Sequence, residues 1–298
     1  MNHSGIQAVV RKVVGLPRVL LTSNPFRNAD KELRNGWWIA IYFLLMAMMI
    51  FPLTFYVRQH EGEVEIWQQA CMSIIAAIAL QRLRGKPLSE MWGAFDITWG
   101  KYLVWGSLLG CLLMVLPALV LVLSGQVTLH FNSLSLSLLL TGLGSCAAVA
   151  IAEEVVFRGV FLQRLRAGMG TIAAQIIVAA YFWLTHSGNP GMEGHIKILA
   201  SINIFLASIL FGLTYLKTNG LAMPIGLHLM ANFTQGTIFG FGVSGHSEYG
   251  VLSPQFESKQ DWLTGGQFGL EASLPGLLFV IIFIFFVAKI PNKRIHAE

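Results

Sequence analysis

Charge is scarce in this chain. Asp, Glu, Lys and Arg together make up 12% of its 298 residues, where a soluble domain carries about 25%. With 55% hydrophobic residues and a mean hydropathy of +0.64, that scarcity argues against a soluble globular protein. Cysteine is also rare. Cys71, Cys111 and Cys146 all fall in apolar stretches and none forms a CxxC, so they read as small buried hydrophobes. There is no HExxH, no low-complexity tract and no internal repeat, and the missing repeat weighs against a transporter built from two related halves. A cleavable signal pattern is absent too, because the apolar pieces of the N-terminal stretch are broken by Pro17 and Pro25. The formal charge of +5 would suit nucleic acid if it were clustered. It is spread over short tails and loops between apolar runs, so no nucleic-acid partner is expected.

What is present in abundance is long apolar sequence. A spanning helix needs about 20 mostly apolar residues, and eight candidates occur: 37–57, 64–80, 102–123, 133–166, 171–186, 196–216, 221–241 and 274–289. The expected fold class is an all-α, multi-pass transmembrane helical bundle of about eight spans. The fourth candidate is long for one pass, and Gly142 and Gly144 are the expected hinge region. The Gly106–Gly110 and Gly236–Gly240 spacings suit close helix packing. The chain divides into a basic tail at 1–36, three helices within 37–132, a core at 133–242, a loop at 243–273, and a last helix with a short basic tail at 274–298. The stretch from Ile6 to Leu21 is read equally as a surface-lying helix or as a disordered tail. With the N-terminus in the cytoplasm, sixteen of the twenty Lys and Arg fall on inside segments and three, Arg58, Lys197 and Lys259, on outside ones. That positive-inside bias predicts a cell-membrane protein with both termini cytoplasmic and the 243–273 loop outside.

Ionisable residues at bilayer depth are costly, and they usually face the bundle interior and serve function. Here they occur as AIAEEVVFRGVFLQRLR. At 100° per residue Glu154 and Arg158 share a helix face and can pair, while Glu153 points away from Arg158. Glu153 lies roughly 16–20 Å from the Arg164/Arg166 end, too deep for a glutamate to reach bulk water along the surface. His186 ends the fifth span. His228 and Asn232 share a face of the seventh. Taken singly, these are a structural ion pair, a helix-end histidine and an interhelical amide. Three helices that bring such residues to similar depth indicate one site. His3, His60, His130, His195, His246 and His296 lie in tails or loops and read as solvated.

Glu153-Glu154-x-x-x-Arg158, Phe182-x-x-x-His186 and His228-x-x-x-Asn232, in that order on successive apolar helices, resemble the three motifs of the CPBP family of intramembrane proteases, also called the CAAX prenyl protease 2 or Abi family. The resemblance covers about residues 133–242. It implies a helical membrane peptidase whose active site lies in the bilayer and opens to the cytoplasm, acting on a membrane-associated protein or peptide among membrane lipid. Classical members cleave after a prenylated cysteine, and other relatives are linked to bacteriocin self-immunity.

On this resemblance Glu153 is the general base that activates water, and Glu154 and Arg158 hold the helix and set the local field. His228 and Asn232 donate to the oxyanion, and His186 positions water or protonates the leaving group. A zinc alternative would use His186, His228 and Glu153 as ligands. The missing HExxH, and Asn232 as a poor ligand, favour the metal-free version. Two non-peptidase readings stand beside it: a scaffold or immunity protein of the same fold, and a transporter with an intramembrane carboxylate relay.

Overall fold

The computed structural model describes residues 24–28 and 31–291. The Ile6–Leu21 stretch, and with it most of the basic N-terminal tail, lies outside the described residues, as do residues 292–298.

Among the described residues the chain is a bundle of apolar helices with a two-stranded sheet at one end. Helix α1 is Asn35–Gln59, α2 Ile66–Leu83, α3 the short Ser89–Trp92, and α4 Ile97–Leu123. Strand β1 is Val127–Phe131. Helix α5, Leu136–Glu154, runs without a break through a π-helical segment, Val155–Leu162, into α6, Gln163–Met169. Then come α7 (Thr171–His186), α8 (Gly194–Thr218) and α9 (Ala222–Asn232), the last continued by a second π-helical segment, Phe233–Ile238. Strand β2 (Leu252–Phe256), α10 (Asp261–Thr264), two short 3-10 turns and α11 (Leu274–Lys289) complete it.

Helices dominate because every backbone N–H and C=O in hydrocarbon must be satisfied inside its own segment. Their ends are marked by polar caps. Asp96 accepts from Trp99 N, Ser135 from Leu138 N and Ser273 from Gly276 N. By length and composition four stretches can cross a membrane alone: Asn35–Gln59, Ser89–Leu123, Leu136–Met169 and Gly194–Thr218. Helices α7 and α11 are apolar but shorter. Helix α9 and its π-helical extension are mostly buried among the others, which is why they tolerate His228, Asn232 and Gln235. Helix α1 exposes Met48, Phe51 and Phe55. In water such a face would be a liability; in a bilayer it is the lipid contact.

The bundle has two polar ends. At one, Glu90 of α3 pairs with Arg84 at 2.8 Å and with Arg164 of α6 at 3.0 Å. At the other, β1 and β2 run antiparallel, from Val127 opposite Phe256 to Phe131 opposite Leu252. This sheet was not expected. Its VTLHF alternation is a short strand signal lying between two spans.

Two expectations need correction. Gly142 and Gly144 are not a hinge, since α5 is regular there and the departure from α-geometry begins at Val155. Gly142 has no room for a side chain, because a Cβ would lie 2.3 Å from Thr237 Oγ1. Its smallness lets α5 approach the second π-helical segment. The cysteines are not buried: Cys71 is exposed, and Cys111 and Cys146 are half-buried. An apolar stretch in a membrane bundle covers outward faces as well as inward ones. His60, His130, His195 and His246 are exposed, as expected.

Candidate functional site

The site is built from the turn that joins α5 to its π-helical continuation. Glu154 and Arg158 are both fully buried, and Arg158 Nη1 donates to Glu154 Oε1 at 2.9 Å. The other arm of the guanidinium reaches α8, where Nη2 donates to the Ser208 carbonyl at 3.1 Å and to its Oγ at 2.9 Å. Arg158 also lies 4.9 Å from the Phe182 ring and 5.1 Å from the Phe211 ring, contacts that favour a buried cation. This fork-shaped use of a guanidinium ties α5, α7 and α8 together.

His228 joins the same carboxylate, with Nδ1 2.9 Å from Glu154 Oε1 and its ring stacked on Phe211 at 4.9 Å between centroids. A carboxylate accepts, so Nδ1–H donates and Nε2 is left facing the other way. His186 is set in the same manner by a different partner. Its Nδ1 is 2.7 Å from the Phe182 carbonyl, one turn back on α7, so Nδ1–H donates and Nε2 is again free. The same carbonyl accepts from Thr185 Oγ1 at 2.8 Å, so two side chains of the last turn are anchored on it.

Both free nitrogens converge on Glu153. His186 Nε2 is 3.9 Å from Glu153 Oε1, and His228 Nε2 is 3.9 Å from Glu153 Oε2. Glu153 keeps about a quarter of its side chain exposed, and its Oε2 has no hydrogen-bond partner within the protein. The structure therefore brings Glu153, Glu154, Arg158, His186 and His228 into one cluster. Asn232 lines a cavity with both histidines.

The loop after α9 returns to this place. Ser244 and Glu271 line the cavity, and so does Asn203 of α8. Glu271 accepts from Ser244 Oγ at 2.8 Å, Ser244 N at 3.3 Å and Gln235 Nε2 at 3.1 Å. Burial pushes its carboxyl above the ordinary carboxylate range, against the opposing pull of those hydrogen bonds and of His186. Sequence reasoning named neither residue. Asn203 could have been found as an amide in an otherwise apolar span; Glu271 had no signal, being one acid in a polar loop.

The donor types suit zinc, but the spacing does not. Ligands about 2.0–2.2 Å from a tetrahedral ion lie about 3.3–3.6 Å from one another, somewhat closer than the 3.9 Å separations found. Among the described residues no group of three or more His, Cys, Asp or Glu is arranged to hold a metal ion. The chemistry derived below therefore uses only the chain's own residues.

Residues 135–234 match the family model described as type II CAAX prenyl endopeptidase, Rce1-like. The matched stretch opens at the Ser135 cap of α5, ends just past Asn232, and contains all three motifs. No curated protein and no solved structure matches the chain.

Proposed function

We propose that the chain is an intramembrane endopeptidase that hydrolyses a peptide bond of a membrane-associated protein or peptide with a glutamate-activated water, a reading that starts from the match of residues 135–234 to the Rce1-like family model. One observation carries this reading: the Glu153 carboxylate has no protein partner at Oε2 and faces the free Nε2 atoms of two histidines at 3.9 Å each. Glu154, beside it, also leaves Oε2 unpartnered, but it is fully buried and its Oε1 is taken by Arg158 and His228. A water between these three groups donates one hydrogen to Glu153 and is oriented by a histidine. Glu153 takes the proton as the water oxygen attacks the scissile carbonyl. Asn232 donates to the oxyanion, and His228 Nε2 joins it in the imidazolium form. When the C–N bond breaks, the proton passes to the leaving nitrogen from Glu153 or through His186. One water is consumed, one acid and one amine are released, and the enzyme returns to its starting state.

The test compares membrane peptides from cells carrying the parent chain with those from cells carrying Glu153→Gln. Specific products should be present in the first and missing in the second. Identical peptide profiles would overturn the reading and favour a non-proteolytic scaffold. A farnesylated peptide and its unprenylated twin, offered to the purified chain, show whether the lipid is read. Elemental analysis addresses the metal. On the metal-free mechanism the active preparation carries no stoichiometric zinc and resists chelators. One tightly held zinc per chain, with activity restored only by that metal, would replace Glu153-only activation with a metal-assisted one.

A further inference from the structure

Hydrolysis consumes a water at every turnover, and Glu153 sits inside a bundle whose outer faces are apolar. Glu153 itself is about a quarter exposed, and a polar route behind the histidines would supply water from a second side. One cavity adjoins the cluster. It has a volume of about 50 Å³, and within a mostly apolar wall it presents His186, His228 and Asn232, Asn203 of α8, and Ser244 and Glu271 of the loop. A water's share of the liquid is about 30 Å³, and a buried water needs two to four polar partners; this cavity offers both the room and the partners.

Two features of its wall call for such an occupant. Asn203 is 2% exposed, and its Nδ2 has no hydrogen-bond partner within the protein. A buried donor left in that state opposes folding, whereas a donor turned to a bound water does not. On the loop side Ser244 and Glu271 are only partly buried, and His246, Ser247 and Glu248 beyond them are exposed. The cavity wall thus runs from the histidines to two residues of the loop, Ser244 and Glu271. The mechanism above uses neither Asn203 nor Glu271.

We propose that Asn203 and Glu271 frame a water-binding site that feeds the reaction centre from the loop end, Asn203 donating to the water and Glu271 accepting from it. That this water is the one consumed rests on the peptidase reading; that the cavity binds water does not.

Radiolytic hydroxyl-radical footprinting of the full chain in lipid nanodiscs, read by mass spectrometry, tests this without any substrate. Radicals formed from a bound water oxidise the side chains beside it, and methionine is readily oxidised. Met114 lines the wall next to Leu113 and is 8% exposed, while Met72, 6% exposed on α2, is the matched control. Met114 should be oxidised well ahead of Met72. Asn203→Leu, which removes the donor and fills the space, should bring Met114 down to the Met72 rate, and Asn203→Asp, which stays polar, should not. Equal rates for Met114 and Met72 in the parent chain would overturn the proposal even if the leucine variant failed to fold, and so would an unchanged Met114 rate in a folded Asn203→Leu chain. On a cleaved reporter peptide, Asn203→Leu should lower kcat and leave KM in place. If the parent cleaves nothing, the peptidase reading fails and the footprint still decides the water site. If the parent cleaves, a leucine variant with Met114 protected and kcat unchanged would overturn the supply role.

Discussion

Glu153 and Glu154 are neighbours on one helix turn and differ only in what surrounds them. Glu154 Oε1 takes both Arg158 and His228 at 2.9 Å with no exposure, so its charge is committed. Both glutamates leave Oε2 unpartnered, but only Glu153 is partly exposed. The two Gln substitutions should therefore separate. Glu153→Gln should abolish hydrolysis, since an amide cannot take the proton, and should leave the thermal midpoint in detergent near the parent value. Glu154→Gln should cost about 3–5 kcal/mol of stability, because it strands a buried guanidinium. A Glu154→Gln chain with the parent midpoint, beside a Glu153→Gln chain that unfolds early, would reverse the division of roles. The 100° helical increment made this division legible in the sequence, since only one of two adjacent residues can face Arg158. It could not reveal Asn203, a single amide with no partner at helical spacing. Nor could it reveal Glu271, whose place depends on how the loop folds back.

At the scale of elements, glycine decides how closely helices approach. A Cβ on Gly110 would lie 2.1 Å from the Leu227 carbonyl oxygen, one on Gly106 2.1 Å from that of Met223, and one on Gly226 2.3 Å from that of Leu103. The Gly106–Gly110 spacing, a weak sign in the sequence, thus seats α4 against the helix that carries His228. Gly110→Ala should force α4 and α9 apart, cost about 1–3 kcal/mol and lower activity with it. Gly144 meets nothing within 4 Å, so Gly144→Ala should raise stability by about 0.5–1 kcal/mol and leave activity alone. Thermal melts and peptide cleavage on the same preparations check both, and lost activity in Gly144→Ala would restore the hinge role that α5 does not show. The loop offers a pH test. Burial raises the Glu271 carboxyl above its ordinary value of 4.5, so the folded loop binds that proton more tightly than the unfolded chain does. Its contribution is complete below the ordinary value and is lost as pH rises through the folded one. Hydrogen exchange across residues 242–273 should quicken over that rise in the parent and less so in Glu271→Gln. Glu248, also raised by burial, adds the same sign to both chains, so the difference between them isolates Glu271. Equal slopes would remove Glu271 as the cause.

Across the whole molecule, the charge count and the packing agree on which residues lie together. Arg84 and Arg164, placed by the count on one side, share Glu90 as partner. Lys217, placed on that side as well, donates to Ala288 next to Lys289 at the end of α11. Strand β1, from the connection after α4, pairs with β2 from the 243–273 loop, and the count places both on the opposite side. Which residues share an end was legible because a lipid bilayer imposes it on every crossing helix at once. The two-stranded sheet was not, because pairing between β1 and β2 joins segments more than a hundred residues apart. We propose the sidedness from the excess of Lys and Arg at the Glu90 end, which the positive-inside rule assigns to the cytoplasm. A reporter enzyme fused after residue 298 should accordingly be active only in the cytoplasm, and one inserted between residues 257 and 260, in the exposed stretch after β2, only outside. Inverted signals would turn the bundle over and place the Asn203–Glu271 cavity at the cytoplasmic face. Matching signals would contradict the single crossing, by α11, between those two points. With the predicted pattern, the water-sized cavity draws on the outer aqueous phase while the CPBP resemblance has the site open to the cytoplasm, so water and peptide would reach Glu153 from opposite ends. An impermeant thiol reagent applied outside should then modify Ser258→Cys in a background lacking Cys71, Cys111 and Cys146, and protection of that thiol would contradict the orientation even where a fusion had misreported it.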